Sequence, residues 1–354
     1  MTIRADVLRG HTDAVILAQL MRRDSYGYEI NKTIETCSGG EFVPSGLGGQ
    51  SEKGKMTEEN TSSADTAPEK LPEKIGFPQG TLFERPVRLD VLAAKKGLFA
   101  ALNKPADVLF EPYVGAPQIP AKGANCNPDQ LSSVIAAMRK QAGKPELERL
   151  GIKSPFCALQ CDFEISGACV AACDKPAAAA LRNAAGSGYV SFEFIFLARR
   201  APDLPEKFEA DLPMVKNENR PVWAVSHRYG RKSKTVFELA ENLRDFQLWK
   251  ACATTPRPHQ IRLHAAEKGL KIIGESVYSR GGQIFTSQFK GDYKLKRGEE
   301  FERPIYPHLF LHLQKISFDG AAFGTPELGR AEIFAPLPKN FALALRKCGS
   351  SIRL

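Results

Sequence analysis

The hydrophobic pattern changes near residue 81 of the 354-residue chain. From there on, short apolar runs are broken by Pro and Gly, which is typical of strands. Apolar residues recur at helical spacing between these runs. Strands and helices therefore mix without the regular spacing of βαβ units, which predicts an α+β domain. The predicted strands are 97–102, 156–161, 192–197, 222–225 and 309–313, and the predicted helices are 129–142, 175–185, 258–268 and 338–347.

The residues before 81 follow a different pattern. Apolar spacing predicts a helix at 12–22 and a second one from Ser25 to about Cys37, ended by Ser38-Gly39-Gly40. Residues 44–80 are rich in Gly, Ser, Thr, Glu, Lys and Pro, a composition that buries too little surface to order itself. The predicted organisation is a helical segment at 1–43, a flexible polar linker at 44–80 and the main domain at 81–354.

Composition narrows the possible environments. The chain is 43% hydrophobic, enough for a full core. No apolar run approaches the roughly 18–20 residues that cross a bilayer, and the first residues lack the apolar core of a signal peptide. Eight cysteines in so long a chain are more typical of reduced thiols than of a disulfide framework. We therefore expect a cytoplasmic protein with no membrane partner.

Charge is unevenly distributed along the chain. Residues 1–80 contain 9 Lys/Arg and 12 Asp/Glu, a net charge of −3, whereas residues 81–354 contain 40 and 28, a net charge of +12. Such a surplus favours a polyanionic partner, because phosphate contacts release counterions. A basic but merely soluble protein has the same balance, so charge alone does not identify the partner.

Two motifs, far apart in the sequence, contain most of the candidate catalytic residues. One is Arg257-Pro258-His259-Gln260-Ile261-Arg262-Leu263-His264, followed by Ile273-Gly274-Glu275-Ser276-Val277-Tyr278. The other lies upstream, at Asp162-Phe163-Glu164-Ile165-Ser166-Gly167, where residues 164–167 predict a turn. Together they resemble the active-site motifs of RluA-type RNA pseudouridine synthases. Three further stretches match that family in the same order: Asn103-Lys104-Pro105, Phe192-Glu193-Phe194-Ile195, and Pro307-His308-Leu309-Phe310-Leu311-His312.

The resemblance implies an enzyme that isomerises uridine to pseudouridine in rRNA or tRNA. It also implies a mixed, mainly antiparallel sheet flanked by helices, a monomer, and a reaction that needs no cofactor or metal. Asp162 matches the nucleophile and Arg262 its charge partner, since a guanidinium keeps a nearby carboxylate ionised. Phe194 aligns with an aromatic residue on which the extruded base stacks. The residues expected to bind substrate are Gln160, Asn103, Lys104, His259 and Gln260.

Several positions depart from the family pattern. The family reads His-Arg-Leu-Asp where this chain has Leu159-Gln160-Cys161-Asp162, so the Arg that contacts phosphate is replaced by an uncharged side chain. The family Thr after the Asp is Ile165, and the Asp after Gly274 is Glu275. An inactive RNA-binding protein on the same fold is therefore an alternative to a divergent enzyme.

Residues 1–43 resemble the start of PadR-type winged-helix regulators, especially at Ser25-Tyr26-Gly27-Tyr28-Glu29-Ile30. In that family a recognition helix and a β-wing follow, and the sequence predicts neither here. Because DNA is read by the recognition helix, a DNA-binding regulator is the less favoured alternative.

Four cysteines, Cys157, Cys161, Cys169 and Cys173, have a spacing that could indicate zinc. The spacing within each pair is three residues instead of the two found in most zinc knuckles. Residues four apart on a strand share a face, so small buried residues give the same pattern. We expect no metal site.

Overall fold

Strongly apolar runs form the central strands of one large sheet. The computed structural model describes residues 71–112, 133–217, 222–295, 297–323 and 329–352. The predicted helical segment 1–43 and the linker up to residue 70 lie outside these residues. The strands are β1 Lys74–Phe77, β2 Val87–Lys95, β3 Phe99–Lys104, β4 Phe156–Leu159, β5 Ser166–Ala172, β6 Val190–Arg199, β7 Lys207–Asp211, β8 Met214–Lys216, β9 Trp223–Val225, β10 Lys234–Asn242, β11 Phe246–Ala253, β12 Leu311–Asp319 and β13 Arg330–Phe334.

Four of the five described helices lie at positions that the pattern predicts. The helices are α1 Val134–Lys140, α2 Pro145–Arg149, α3 Lys175–Gly186, α4 Gln260–Glu267 and α5 Lys339–Lys347. Asp174 begins α3 by accepting a hydrogen bond from the Ala177 N–H, with Pro176 in the first turn. The short α2 and strands β2, β7, β8, β10, β11 and β13 were not predicted.

The strand order in the sheet is β1-β2-β3-β5-β12-β6-β11-β10-β7, with β4 paired to β5 and β13 to β12. Among the described pairs only β5 and β12 run parallel, so the predicted mainly antiparallel α+β fold is confirmed. Gly167 allows this central pairing: its φ is +124°, and a Cβ there would lie 2.2 Å from the Leu313 carbonyl oxygen. Because Gly167 has no side chain, β5 and the loop before it can lie directly against β12.

Two sequence expectations need correction. Lys74–Phe77, predicted as linker, forms β1 and pairs with β2, and its Ile75 and Phe77 are buried in the core. The ordered domain thus starts before residue 81, because two apolar residues are enough to hold an edge strand. Likewise Ser166 and Gly167, predicted as a turn, begin strand β5. No helix in the described part of the chain is long and apolar enough to cross a membrane.

Candidate active site

An open cavity of about 130 Å³ lies where the β4–β5 loop meets the start of helix α4. This volume is far larger than one water molecule requires, so the cavity can admit part of a ligand. Both sequence motifs contribute to it although about a hundred residues separate them. The lining residues are Gln160, Cys161, Asp162, Ile165, Phe194, Pro256, Arg257, Pro258, Gln260 and Ile261.

Asp162 lies in the loop between β4 and β5, with 8% of its surface exposed. Its Oδ2 accepts a hydrogen bond of 2.9 Å from the main-chain N–H of His259. His259 precedes helix α4 in a left-handed conformation, φ 61°, which is unusual for a residue other than glycine. Backbone strain of this kind is retained where the surroundings demand it, and here it aims an N–H at a buried carboxylate. His259 was predicted to lie within a helix at 258–268, but α4 begins only at Gln260.

Burial raises the pKa of the Asp162 carboxyl to about 7, and the negative charge of Glu164 adds to this effect. The charges of Arg262 and Lys104 and the His259 N–H oppose it. Asp162 is therefore poised between its two protonation states near neutral pH, as expected of a group that takes part in chemistry.

Arg262 was predicted to be the charge partner of Asp162, and its shortest contacts are with two other carboxylates. Its guanidinium is 3% exposed and forms a bidentate pair with Glu275, at Nε–Oε2 2.6 Å and Nη2–Oε1 3.0 Å. Its Nη1 lies 2.6 Å from Oε1 of Glu164. Arg262 still stabilises the ionised form of Asp162 through its charge. Two carboxylates thus pair with one guanidinium, because the burial of a cation requires counter-charge.

Tyr278 connects the second motif to His259. Its hydroxyl oxygen lies 2.7 Å from Nδ1 of His259 and accepts a hydrogen bond from the Trp223 N–H. Arg262 lies over the Tyr278 ring, with its guanidinium carbon 5.4 Å from the ring centroid. Burial and the charge of Arg262 lower the pKa of His259 to about 4, so the imidazole is neutral at neutral pH. This network fixes the backbone that faces Asp162.

Three other predicted site residues reach the cavity. Phe194 lines it, whereas its neighbours Phe192 and Phe196 are buried away from the lining. Gln160 lines it with its Oε1 accepting from the Glu111 N–H at 3.3 Å. Gln260 also lines it, but its amide donates to Lys234 and Thr235 and accepts from the Arg257 N–H. Gln260 thus holds α4 against β10 as well as lining the cavity.

Lys104 and Asn103 do not reach the cavity, contrary to the prediction that they bind substrate. Lys104 is fully buried, and its ammonium donates to the carbonyls of Pro105, Val108 and Phe163 at 2.8–3.0 Å. Asn103 donates to the Pro336 carbonyl. Because Phe163 follows Asp162 directly, Lys104 anchors the loop that contains the carboxylate.

Replacing Lys104 with Met is expected to lower the free energy of unfolding by about 3 kcal/mol, since three buried carbonyls lose their donor. Urea unfolding of the purified variant measures this loss. The exposed Lys153→Met provides the matched control and should change stability by less than about 0.5 kcal/mol. Unchanged stability together with weaker RNA binding would instead restore Lys104 as a substrate contact.

The four spaced cysteines are all buried, as expected of small interior residues. Sγ of Cys161 lies 3.4 Å from Sγ of Cys169, and burial raises the pKa of the Cys157 thiol to about 12. Within the described residues, no three His, Cys, Asp or Glu side chains are grouped so that they could hold a metal ion.

Sequence reasoning missed the roles of Glu164, Glu275 and Tyr278. Glu275 was taken only as a departure from the family pattern, yet its longer side chain forms the bidentate pair with Arg262. One available indication was the apolar setting of Arg262, which lies between Ile261 and Leu263 on a buried helix. An arginine placed there needs acidic partners, and both acidic residues belong to the motifs already identified.

Known proteins share parts of this sequence and its fold. No family model matches the chain. The chain is 31% identical over 84 residues to the dual-specificity RNA pseudouridine synthase RluA of Vibrio vulnificus, covering 22% of this chain and 34% of the relative. It is 26% identical over 180 residues to the ribosomal large subunit pseudouridine synthase D of Zymomonas mobilis, covering 51% and 52%. The chain thus spans between about a third and a half of the curated relatives it matches.

The fold itself has a solved counterpart. Human RNA pseudouridylate synthase domain containing 4 superposes with a TM-score of 0.52 at 16% identity, covering 73% of this chain and 92% of that one. The chain therefore has the pseudouridine synthase fold. The names of the sequence relatives support a relationship to the RluA-type synthases in particular. The resemblance of residues 1–43 to PadR-type regulators has no such support.

Proposed function

We propose that this protein is an RNA pseudouridine synthase that isomerises uridine in structured RNA, either rRNA or tRNA, with Asp162 as nucleophile. The observation that carries the proposal is the meeting of the two motifs at one cavity, where the Asp162 carboxylate and the Phe194 ring lie on the same lining. The relatives that support it are named as RNA pseudouridine synthases. We further propose that it works as a monomer in the cytoplasm.

The reaction requires little beyond a carboxylate and a way to reach the base. The N1–C1′ glycosidic bond breaks, the uracil rotates, and a C5–C1′ bond forms; C5 then loses its proton and N1 gains one. Ionised Asp162 attacks the ribose or removes a proton from it, which makes the bond to N1 labile. A single group suffices because the reaction is an isomerisation with no redox change.

The other residues prepare that carboxylate. The His259 N–H donates to Oδ2 and so orients the group, while Arg262 favours its ionised form. A uridine inside a helix cannot reach Asp162, so the base must be extruded. Phe194 then offers a ring on which the base stacks, and Gln160 offers an amide for hydrogen bonding.

Release of tritium from RNA labelled at uridine C5 tests the proposal, because C5 loses its hydrogen when the new bond forms. The substrate should be a pool of unmodified rRNA and tRNA transcripts, since the target uridine is not known. The expected result is time-dependent release by the wild-type chain. Intact RNA binding without release would favour the alternative of an inactive RNA-binding descendant, in which the substitution of Gln160 for the family Arg has removed activity.

The pH profile gives a second, sharper expectation. Because the pKa of Asp162 is raised to about 7 and the ionised form reacts, kcat/KM should rise with pH through about 7. Glu164→Gln removes a neighbouring negative charge, so the midpoint of this rise should move to lower pH. Tritium release at constant buffer strength between pH 5 and 9 measures the pH profiles of the wild type and of Glu164→Gln. A midpoint that is the same in both proteins would show that Glu164 does not act on the titrating group.

A further inference from the structure

A basic and aromatic surface borders the candidate active site. It consists of the turn at 226–232, between β9 and β10, together with Arg257. We call its cations, Arg228, Arg231, Lys232 and Arg257, the basic rim. Arg228, Arg231 and Lys232 are exposed, and Arg257 is half-buried in the cavity lining.

The basic rim is joined directly to the cavity. Nε of Arg257 donates to Oγ of Ser233 at 3.0 Å, and Nη2 of Arg257 donates to the Lys232 carbonyl at 3.3 Å. Burial lowers the pKa of the Arg257 guanidinium, and the like charge of Arg231 lowers it further. The turn and the cavity lining thus place several positive charges close together.

These cations lack acidic partners. In the described parts of the chain, no carboxylate lies within ion-pair distance of Arg228, Arg231, Lys232 or Arg257. Some exposed lysines in strands are paired, for example Lys207 with Glu238 at 3.0 Å and Lys74 with Asp90 at 3.0 Å. Repelling charges gathered beside a cavity without neutralisation favour an anion as the ligand.

An exposed ring lies among the charges. Tyr229 is 68% exposed, and the guanidinium of Arg228 lies 5.0 Å from the centre of its ring. Unpaired bases stack on such rings, whereas a duplex keeps its bases stacked on each other. Cations flanking an exposed aromatic side chain are the combination that single-stranded nucleic acid recognises.

The turn is also held in a defined shape. Gly230 donates to the Ser226 carbonyl at 2.8 Å, and Arg231 and Met214 exchange main-chain hydrogen bonds of 2.8 and 2.9 Å. A Cβ at Gly230 would lie 2.3 Å from the Ser226 oxygen, so only glycine fits there. The ring and the charges are therefore presented by a preorganised backbone, which reduces the entropy cost of binding.

We propose that the basic rim and Tyr229 bind the unpaired RNA strand next to the target uridine, with cations on its phosphates and the Tyr229 ring on a neighbouring base. This inference rests on the proposed function, because the strand it binds is the one that enters the cavity. It predicts a preference for uridines in loops or bulges over uridines in uninterrupted duplexes.

Fluorescence anisotropy of the full chain carrying Asp162→Asn, which prevents turnover, tests this inference. The probes are a labelled RNA stem-loop with uridines in the loop and the fully paired duplex of the same stem. Tyr229→Ala should weaken stem-loop binding by about tenfold, and Tyr229→Phe should retain affinity within about twofold. Removing Arg231 and Lys232 together (both to Ala) should reduce the slope of log Kd against log salt by about 2.

Matched controls separate the rim from general effects. Phe301→Ala removes another exposed ring, 78% exposed, and Lys74→Ala with Lys207→Ala removes two paired cations. Affinities unaffected by the rim variants, losses equal to those of the controls, or no measurable binding of the stem-loop would each overturn the inference. An equal loss of duplex binding in Tyr229→Ala would also do so.

Failure of the basic-rim inference and failure of the proposed function give different results. If the enzyme is active but the rim is not used, the rim variants release tritium with an unchanged KM. If the proposed activity fails, the wild type releases none, while its stem-loop binding still depends on Tyr229 and the basic rim.

Discussion

Asp162→Asn is expected to reduce tritium release by at least about 10³-fold, because an amide cannot replace the carboxylate as nucleophile. The change is nearly isosteric, and the His259 N–H still meets an oxygen at the same position. RNA affinity should therefore remain within about threefold of the wild type, since the loss falls on the chemical step. The exposed Asp203→Asn is the control and should retain full activity.

Stability provides an independent check on the same variant. The pKa of Asp162 is raised to about 7 in the folded protein, above its value of 3.8 in a free chain. The folded protein thus binds this proton more tightly than the unfolded chain does, so the wild type loses stability as pH rises from about 4 through 7. Asparagine does not titrate. The variant should therefore gain stability relative to the wild type over that range in urea unfolding, and a parallel pH dependence would contradict the assigned pKa.

Arg262→Met should have the largest effect on stability. The substitution leaves Glu275 and Glu164, two acidic groups of low exposure, without the cation that lies 2.6 Å from each. Breaking a buried pair by removing one partner typically costs about 3–5 kcal/mol. Activity should fall together with stability, because the charge that favours ionised Asp162 is also lost. Urea unfolding and tritium release on the same preparation measure the two effects.

The pH dependence of stability in Arg262→Met shows whether the unpaired carboxylates cause the loss. Without the cation, burial raises the pKa of Glu164 above its unfolded value, so stability is retained at low pH and lost as pH rises. The deficit relative to the wild type should therefore be smaller at pH 5 than at pH 8. Arg262→Lys keeps one charge but not the bidentate geometry and should lie between the two proteins. A small, pH-independent loss would mean that the carboxylates find other partners.

Local sequence determined a large part of this protein. Apolar runs and periodicity located α3, α4 and α5 and strands β3, β4, β6 and β12, because these segments are long or strongly buried. The order of the motifs also indicated Asp162, Phe194 and Gln160, and the structure brings all three to one cavity. The edge strand β1 escaped prediction, because its four residues contain only two buried apolar side chains, Ile75 and Phe77.

The electrostatics of the site were decided by tertiary structure alone. A sequence shows that Lys104, Arg262 and Glu275 are charged, but it does not show which atoms they meet. Lys104 donates to three main-chain carbonyls in the interior. Arg262 forms its ion pairs with Glu164 and Glu275 instead of Asp162. A buried charge takes the partners that the fold places within hydrogen-bond distance, and those partners come from segments that only chain folding brings together. Motifs therefore identified the reactive carboxylate, while the packing of β4, β5 and α4 decided its partners and its pKa.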